Sequence, residues 1–210
     1  MIINKNEYVK IEHDRFIVDL MYARCNNMVG KAIYQEIGWG NVAVLHKDMA
    51  DRLFEIVKIL EKEKLKLKIF DAYRPKVAHD MMKKIIPNKG FFADSADKSQ
   101  HCLATAVDVC LCDNEGKEFE YLTKVDGYDE NLRKKVEKGD MVEFMEHLKK
   151  ATHSYYDETK KLEMENRRVL KEIMEGVGLV ALEHEWWHYN LKDGKNDKYP
   201  LVELDIKNFY

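Results

Sequence analysis

GLVALEHEWWHYNL, residues 178–191, is the stretch whose secondary structure decides the fold of this chain. It begins at Gly178, two residues after Gly176, and these two glycines end a long helical pattern in the way that glycines often end helices. The stretch is rich in Val, Trp and Tyr, and side chains of these kinds favour strands. We therefore predict a strand that leads into a loop.

The same letters contain HEWWH, which fits the pattern H-E-x-x-H. On a helix, His184 and His188 would lie one turn apart and bind zinc, and Glu185 would act as the base of an endopeptidase. That class takes a third ligand from a further helix downstream, but residues 190–210 show no helical periodicity. At a strand end, Glu185 and His188 can both reach one cleft while His184 points elsewhere. The endopeptidase that uses His184 remains the alternative.

Periodic patterns upstream complete the fold prediction. Apolar residues recur at helical spacing in three stretches and alternate as in strands in two more: residues 47–64, 77–86 and 131–175, and residues 65–70 and 103–112. The helical pattern of 131–175 is highly charged and falls into two pieces. Helices around a few strands predict an α+β fold, with a small, mostly antiparallel sheet flanked by helices. At 210 residues, we expect a single domain over residues 1–210.

The composition argues against several classes of protein. The formal net charge of −3 leaves no broad basic excess for nucleic acid, and no segment approaches the ~20 apolar residues that span a bilayer. The N-terminus lacks the apolar core of a signal peptide, and the four cysteines form no C-x-x-C pair. We expect a cytoplasmic protein that binds neither nucleic acid nor membrane, with Cys110 and Cys112 as buried apolar residues. Homo-oligomerisation stays open.

SQHCLATAVD, residues 99–108, contains two zinc-ligand residue types, His101 and Asp108. In a fully extended chain, at about 3.3 Å per residue, their separation would exceed roughly 20 Å. They can share a metal ion if His101 lies in a turn and Asp108 lies on the strand that follows. The alternative is that His101 is a surface or hydrogen-bonded histidine without a ligand role.

FDAYRP, residues 70–75, places Arg74 between a predicted strand and Pro75. An arginine fixed in this way can direct its guanidinium group at a developing oxyanion. The alternative is a salt bridge between Arg74 and a neighbouring acid such as Asp71.

Together, these stretches resemble the D-alanyl-D-alanine dipeptidases of VanX type, which are zinc enzymes of the D,D-peptidase/Hedgehog fold group. The resemblance includes the motifs SxHxxxxxxD, EWWHY and DAYRP in the order of the family. It extends to DLMYARCNNMVG (19–30) and ENRRVLKEIMEGVGL (165–179), and covers about three-quarters of the chain. It implies a fold like that of the D,D-peptidases and Hedgehog proteins.

The resemblance also implies roles for particular residues. One zinc ion per chain would be bound by His101, Asp108 and His188. Glu185 would be the catalytic base, and Arg74 would stabilise the transition state. His184 would have no role in the site.

Ser99 and Asp126 match positions that hold the polar ends of the dipeptide in the family. The implied reaction is hydrolysis of D-Ala-D-Ala, or of a related D,D-dipeptide, to free amino acids, with a water activated by zinc as the nucleophile. A D-Ala-D-Ala carboxypeptidase on the same fold is the nearest alternative. A zinc-binding module without catalysis is another, although it would need neither Glu185 nor Arg74.

Two departures from the family pattern affect specificity. The family has a Ser-x-Gly stretch after the first histidine, where this chain has Cys102-Leu103-Ala104, and the change could reshape one wall of the pocket. Residues 130–160 are longer than the connection in the family, by an extra charged helix. This charged segment could cover the site, form a dimer contact or have no role.

Overall fold

Buried apolar residues build two sheets and the helices that pack on them. The computed structural model describes residues 7–87, 92–127 and 130–210, and all statements below concern these ranges. The strands are Tyr8–Lys10 (β1), Phe16–Val18 (β2), Val44–His46 (β3), Lys66–Asp71 (β4), Ala106–Cys112 (β5), Leu179–Leu182 (β6) and Glu185–Leu191 (β7). The α-helices are Ile33–Glu36 (α1), Lys47–Glu55 (α2), Val57–Lys62 (α3), Lys76–Ile85 (α4), Glu130–Glu137 (α5), Val142–Ala151 (α6) and Lys161–Gly176 (α7).

The main sheet has the strand order β2-β4-β5-β7-β6. β2 and β4 pair in parallel, and the other neighbours pair antiparallel, while β1 and β3 form a separate two-stranded sheet. The predicted α+β class is confirmed. The prediction of a small sheet was wrong, because the three-residue strand β2 is too short to show a pattern and β6 was merged with β7.

Two predicted elements divide in the structure. The strand predicted over residues 179–191 is a hairpin, β6 and β7, with a turn at Glu183 and His184, and no helix forms over HEWWH. The region 131–175 forms three helices instead of two, because Gly139 adopts a left-handed backbone (φ +81°) between α5 and α6. Glycine reaches this conformation at little cost, so it ends the first helix.

The core surrounds the central strand β5, all seven residues of which are buried. Helix α7 packs on β5, β6 and β7 and buries Leu170 and Met174. Cys110 and Cys112 are buried free thiols, as predicted. No helix in the described ranges combines the length and apolar character needed to cross a bilayer.

Candidate active site

Three side chains from separate parts of the chain form a compact polar cluster. Nδ1 of His188 lies 2.9 Å from Oδ1 of Asp108 and 3.1 Å from Nε2 of His101. Nε2 of His101 lies 3.3 Å from Oδ2 of Asp108. All three residues are buried, and their ligand atoms lie within 4.8 Å of one another. The three residues predicted as ligands from the sequence are thus brought together.

The β-sheet explains how distant residues meet in this cluster. Asp108 in β5 is paired directly with His188 in the antiparallel strand β7. His101 lies in the turn formed by residues 100–104, which leads into β5. Ala104 in this turn has a left-handed backbone with φ +57°, and its carbonyl oxygen accepts a hydrogen bond from His46 N at 2.9 Å.

The outer nitrogens of the two histidines are each held by an acceptor. Nδ1 of His101 donates to the carbonyl oxygen of Ala72 at 2.8 Å, and Nε2 of His188 donates to Oδ1 of Asn190 at 2.8 Å. These hydrogen bonds assign the tautomers that leave Nε2 of His101 and Nδ1 of His188 facing the cluster. Asn190 was not predicted from the sequence, although its place two residues after His188 on one strand puts both side chains on one face.

Charge within the cluster perturbs two of its groups. Burial alone would raise the pKa of the Asp108 carboxyl, but His101 and His188 outweigh burial and lower that pKa. Burial alone would lower the pKa of His188, but the hydrogen bond and charge of Asp108, with the charge of Glu185 and the hydrogen bond to Asn190, together outweigh burial and raise the pKa to about 9. The Asp108 carboxylate is therefore anionic, and the His188 imidazole carries a proton that a metal cation can displace.

The donor set fits a zinc ion. Nitrogen and oxygen ligands bind zinc at about 2.0–2.1 Å, and in a tetrahedron such ligands lie about 3.3 Å apart. The three separations between His101, Asp108 and His188 are 2.9, 3.1 and 3.3 Å. Three protein ligands are also the number that catalytic zinc sites use, since the fourth position is kept for water or substrate.

Glu185 lies beside the cluster at the start of β7. Its Oε2 is 3.7 Å from Nδ1 of His188. In a regular strand these two side chains would face opposite ways, but the β6–β7 register shifts so that Ala181 pairs with Tyr189 and Leu182 with Glu185. Burial raises the pKa of Glu185, and the charge of His188 opposes the rise.

Arg74 is held against the site by a buried acid. Its Nε and Nη2 donate to Oδ2 of Asp71 at 2.9 and 2.6 Å, and Tyr34 donates its hydroxyl to Oδ1 of Asp71 at 2.6 Å. Burial alone would lower the pKa of Arg74, but the charge of Asp71, with smaller contributions from Tyr22, Tyr34 and Cys102, outweighs burial and raises it. Arg74 therefore forms the salt bridge that was the alternative from the sequence, and it also lines the cavity described next; its role at an oxyanion stays a prediction.

A cavity of about 180 Å³ joins these groups. Its lining includes all seven predicted site residues: Arg74, Ser99, His101, Asp108, Asp126, Glu185 and His188. Pockets for drug-sized ligands are larger, about 300–1,000 Å³, so this cavity suits a small ligand.

Asp126 and Ser99 lie at different parts of the cavity wall. Oδ2 of Asp126 accepts a hydrogen bond from the Tyr22 hydroxyl at 2.6 Å. Burial, together with the charges of Asp108 and Glu185, raises the pKa of Asp126 to about 7. Ser99 is buried and precedes the turn that carries His101.

Other residues singled out in the sequence lie outside the cavity lining. His184 is exposed in the turn between β6 and β7, so the histidine pair of an H-E-x-x-H helix does not form. Cys102, Leu103 and Ala104 are buried and are not among the residues that line the cavity, so any effect of this departure on the pocket wall would act through the turn that carries His101.

Comparisons with known proteins show which family the chain belongs to. The sequence model of the peptidase M15 family, described as D-Ala-D-Ala dipeptidase, matches residues 4–205. The D-alanyl-D-alanine dipeptidase of Escherichia coli (strain K12) is 31% identical over 185 residues, which cover 88% of this chain and 82% of the relative. The D-alanyl-D-alanine dipeptidase of Enterococcus faecium is 27% identical over 211 aligned residues, with 90% of each chain covered.

Proposed function

Because the chain belongs to the peptidase M15 family and is a metallopeptidase, we propose that it hydrolyses D-Ala-D-Ala, or a closely related D,D-dipeptide, to free amino acids. The observation that carries the proposal is the small cavity that joins a zinc-type ligand cluster to Glu185, Arg74 and Asp126. These groups supply a metal site, a base, a fixed cation and an acid for a substrate ammonium group.

The metal site would hold one zinc ion through His101 Nε2, an Asp108 carboxylate oxygen and His188 Nδ1. When bound, zinc supplies a Lewis acid that acidifies water and polarises a carbonyl group. Asn190 and the Ala72 carbonyl fix the two imidazole rings so that His101 Nε2 and His188 Nδ1 are directed inward and are the nitrogens free to bind the metal ion.

Glu185 moves the proton in the proposed reaction. Its carboxylate, close to His188 Nδ1, takes a proton from the attacking water and then delivers it to the nitrogen of the leaving amino acid. The burial that raises the pKa of Glu185 makes its carboxylate a stronger base than an exposed glutamate.

Arg74 stabilises the oxyanion that develops on the scissile carbonyl. The salt bridge to Asp71 occupies Nε and Nη2 and fixes the guanidinium plane before substrate binds. Preorganised charge of this kind acts in the transition state without reorganisation at the moment of reaction.

Two cavity residues would recognise the ends of the dipeptide. Asp126 would bind the substrate ammonium group, which would favour the ionised carboxylate. Ser99 and nearby backbone donors would bind the substrate carboxylate. Both ends of the substrate would then be paired in a cavity that is too small for a long peptide.

Metal analysis and turnover of single variants test the proposal. Glu185→Ala should keep one zinc per chain and its fold, and should lose D-Ala-D-Ala turnover by about a hundredfold or more, which is the scale of general-base catalysis. His101→Ala and Asp108→Ala should lose zinc. His184→Ala is the matched control and should keep both zinc and turnover.

Three results would count against the assignment. Undiminished zinc in both His101→Ala and Asp108→Ala would exclude the ligand set. Zinc loss in His184→Ala alone would support the H-E-x-x-H endopeptidase. Near-normal turnover in Glu185→Ala would exclude Glu185 as the base and direct attention to Glu183, whose carboxylate accepts a hydrogen bond from Ser154 N.

A further inference from the structure

Helix α6 of the charged segment packs behind the loop that carries Asp126. The ring of His147 lies against Gly127, where an added Cβ would meet ring atoms at 3.0 Å. The ring of His147 also lies next to the Lys124 backbone, two residues before Asp126. The helix therefore contacts the base of this loop through His147.

The backbone at Asp126 needs such support. Asp126 has φ +52° and Gly127 has φ +64°, so two successive residues are left-handed. A residue other than glycine in this region costs about 1–2 kcal/mol, and it persists where the surrounding packing holds it. The Tyr22 hydroxyl holds the Asp126 carboxylate from the cavity side, and His147 holds the backbone from behind.

The charged segment contacts two further loops of the cavity. The guanidinium of Arg133 in α5 lies 2.9 Å from the position of a Cβ on Gly30, two residues after Met28, which lines the cavity. Gly30 also has a left-handed backbone (φ +68°), so here too a left-handed glycine of a cavity loop packs closely against the charged segment.

The third contact is with the turn before Glu185. The backbone amide of His153 donates to the carbonyl oxygen of Glu183 at 2.8 Å, and the amide of Ser154 donates to Oε1 of Glu183 at 3.0 Å. Arg167 of α7 anchors this part of the segment by donating to the carbonyl oxygen of Thr152 at 2.8 Å.

We propose that the charged segment, residues 130–160, is a clamp that holds the substrate-ammonium end of the cavity in place, and that His147 is its positioning residue for Asp126. The catalytic consequence rests on the proposed dipeptidase function. The clamp itself rests on the contacts with Gly127, Gly30 and Glu183. These contacts face the cavity loops, whereas Met145 on α6 is 57% exposed and faces away from them.

Hydrogen exchange tests the clamp without any substrate. In His147→Ala, amide exchange over residues 124–127 should accelerate about tenfold, because the Gly127 N to Lys124 O hydrogen bond of 3.2 Å loses its cover. Met145→Ala, on the same helix, is the matched control and should exchange as the unmodified protein does. If His147→Ala fails to fold, His147→Asn removes the ring while it keeps a polar side chain, and should give the same result.

Kinetics on the zinc-loaded variants test the role of the clamp in binding. His147→Ala should raise KM for D-Ala-D-Ala about tenfold with kcat within about twofold, since Asp126 serves binding and Glu185 serves chemistry. Its zinc content should be unchanged. N-acetyl-D-Ala-D-Ala has no ammonium group, so its kcat/KM should be the same in His147→Ala as in the unmodified protein. The ratio of kcat/KM for D-Ala-D-Ala to that for the N-acetyl form should therefore fall about tenfold.

Unchanged exchange over residues 124–127 in both His147 variants would overturn the clamp. Faster exchange with unchanged KM would overturn its role in substrate binding, because a purely structural contact gives that combination. If the unmodified protein does not cleave D-Ala-D-Ala, the proposed function fails, and the exchange experiment still decides whether the clamp exists.

Discussion

Ala104 shows at the scale of one residue how this site tolerates a departure from the family pattern. Its backbone is left-handed, with φ +57°, at the position where the resemblance expects a glycine. The turn keeps a conformation that glycine favours and that costs alanine about 1–2 kcal/mol. The strained residue lies between His101 and β5, in the turn that positions His101 as a proposed metal ligand.

Replacing Ala104 by glycine should therefore relieve strain. We expect Ala104→Gly to leave the free energy of unfolding unchanged or to raise it by up to about 1 kcal/mol. Ala106→Gly is the control, because Ala106 is equally buried but lies in β5, where glycine should destabilise by about 1 kcal/mol. Denaturant unfolding of both variants measures the difference. Equal destabilisation by the two changes would show that the turn is not strained.

Asn190 gives a second test at this scale. Asn190→Ala removes the acceptor from Nε2 of His188, which frees the ring to rotate or change tautomer. Zinc affinity should fall by about 10–100-fold, the usual effect of losing such a partner, while the fold is kept. Asn190→Asp retains an acceptor and should bind zinc nearly as the unmodified protein does. Equal affinity in all three proteins, measured by competition with a chelator, would remove this role.

The three residues of the metal-ligand cluster could be predicted from the sequence, but the hydrogen-bond partners that orient its two histidines could not. His101, Asp108 and His188 came from residue types, spacing and family resemblance, and the structure brings them together. Asn190 and the Ala72 carbonyl were missed, because their contacts depend on ring orientations that only the folded sheet sets.

For the secondary-structure elements, the sequence predicted which stretches form strands but not how the residues of neighbouring strands pair. Strand character in residues 179–191 and 103–112 followed from residue types, and both stretches do contain strands. The shift that pairs Leu182 with Glu185 could not be predicted, because it depends on how two strands meet and leaves no periodic signal. That shift in strand pairing brings Glu185 to the side of His188, so the position of the proposed base depends on an irregular part of the β6–β7 hairpin.

Two histidines make the attachment of the charged segment sensitive to pH. Burial lowers the pKa of His147 and of His153 to about 4 each. Positive charge acts on these pKa values in the same direction as burial, from Lys150 at His147 and from Lys171 and Arg167 at His153, where Glu183 opposes the effect. An unfolded histidine has a pKa of about 6.5, so the unfolded chain takes up protons first as pH falls. Stability should be full above about pH 6.5 and decline towards pH 4.

Thermal unfolding at pH 7.5 and pH 5.0 measures this dependence. After a discount for partial exposure, each histidine should contribute a loss of about 1 kcal/mol, or about 2–4 °C in Tm for a chain of this length. The double variant His147→Asn/His153→Asn should lose less Tm between the two pH values than the unmodified protein. His184→Asn, in an exposed turn, is the control. An equal drop in all three proteins would contradict the assignment.

At the scale of the whole molecule, the cluster joins β5, β7 and the turn before β5, so a bound ion cross-links the centre of the main sheet. The sequence predicted the α+β class, whereas the five-stranded sheet needed the structure. Three-residue strands such as β2 are fixed by tertiary pairing, in this case with β4, and carry too few residues for a pattern.

Removal of zinc should therefore lower global stability. A ligand at a hundred times its Kd stabilises the native state by about 2.7 kcal/mol, which corresponds to a change of about 5–10 °C in Tm. A chelator should lower the Tm of the unmodified protein and of His184→Ala by this amount. It should leave the Tm of His101→Ala nearly unchanged. A similar chelator effect on His101→Ala would place the metal elsewhere.

The dipeptidase function is best tested by a specificity ratio: kcat/KM for D-Ala-D-Ala divided by kcat/KM for N-acetyl-D-Ala-D-Ala, on the zinc-loaded protein. In a cavity of about 180 Å³, capping the substrate ammonium removes the positive charge that Asp126 would bind and leaves only the Tyr22 hydroxyl on its carboxylate. We expect a ratio of at least about 1,000. A ratio within about tenfold of unity would contradict the dipeptidase function, favour a carboxypeptidase and remove the role of Asp126.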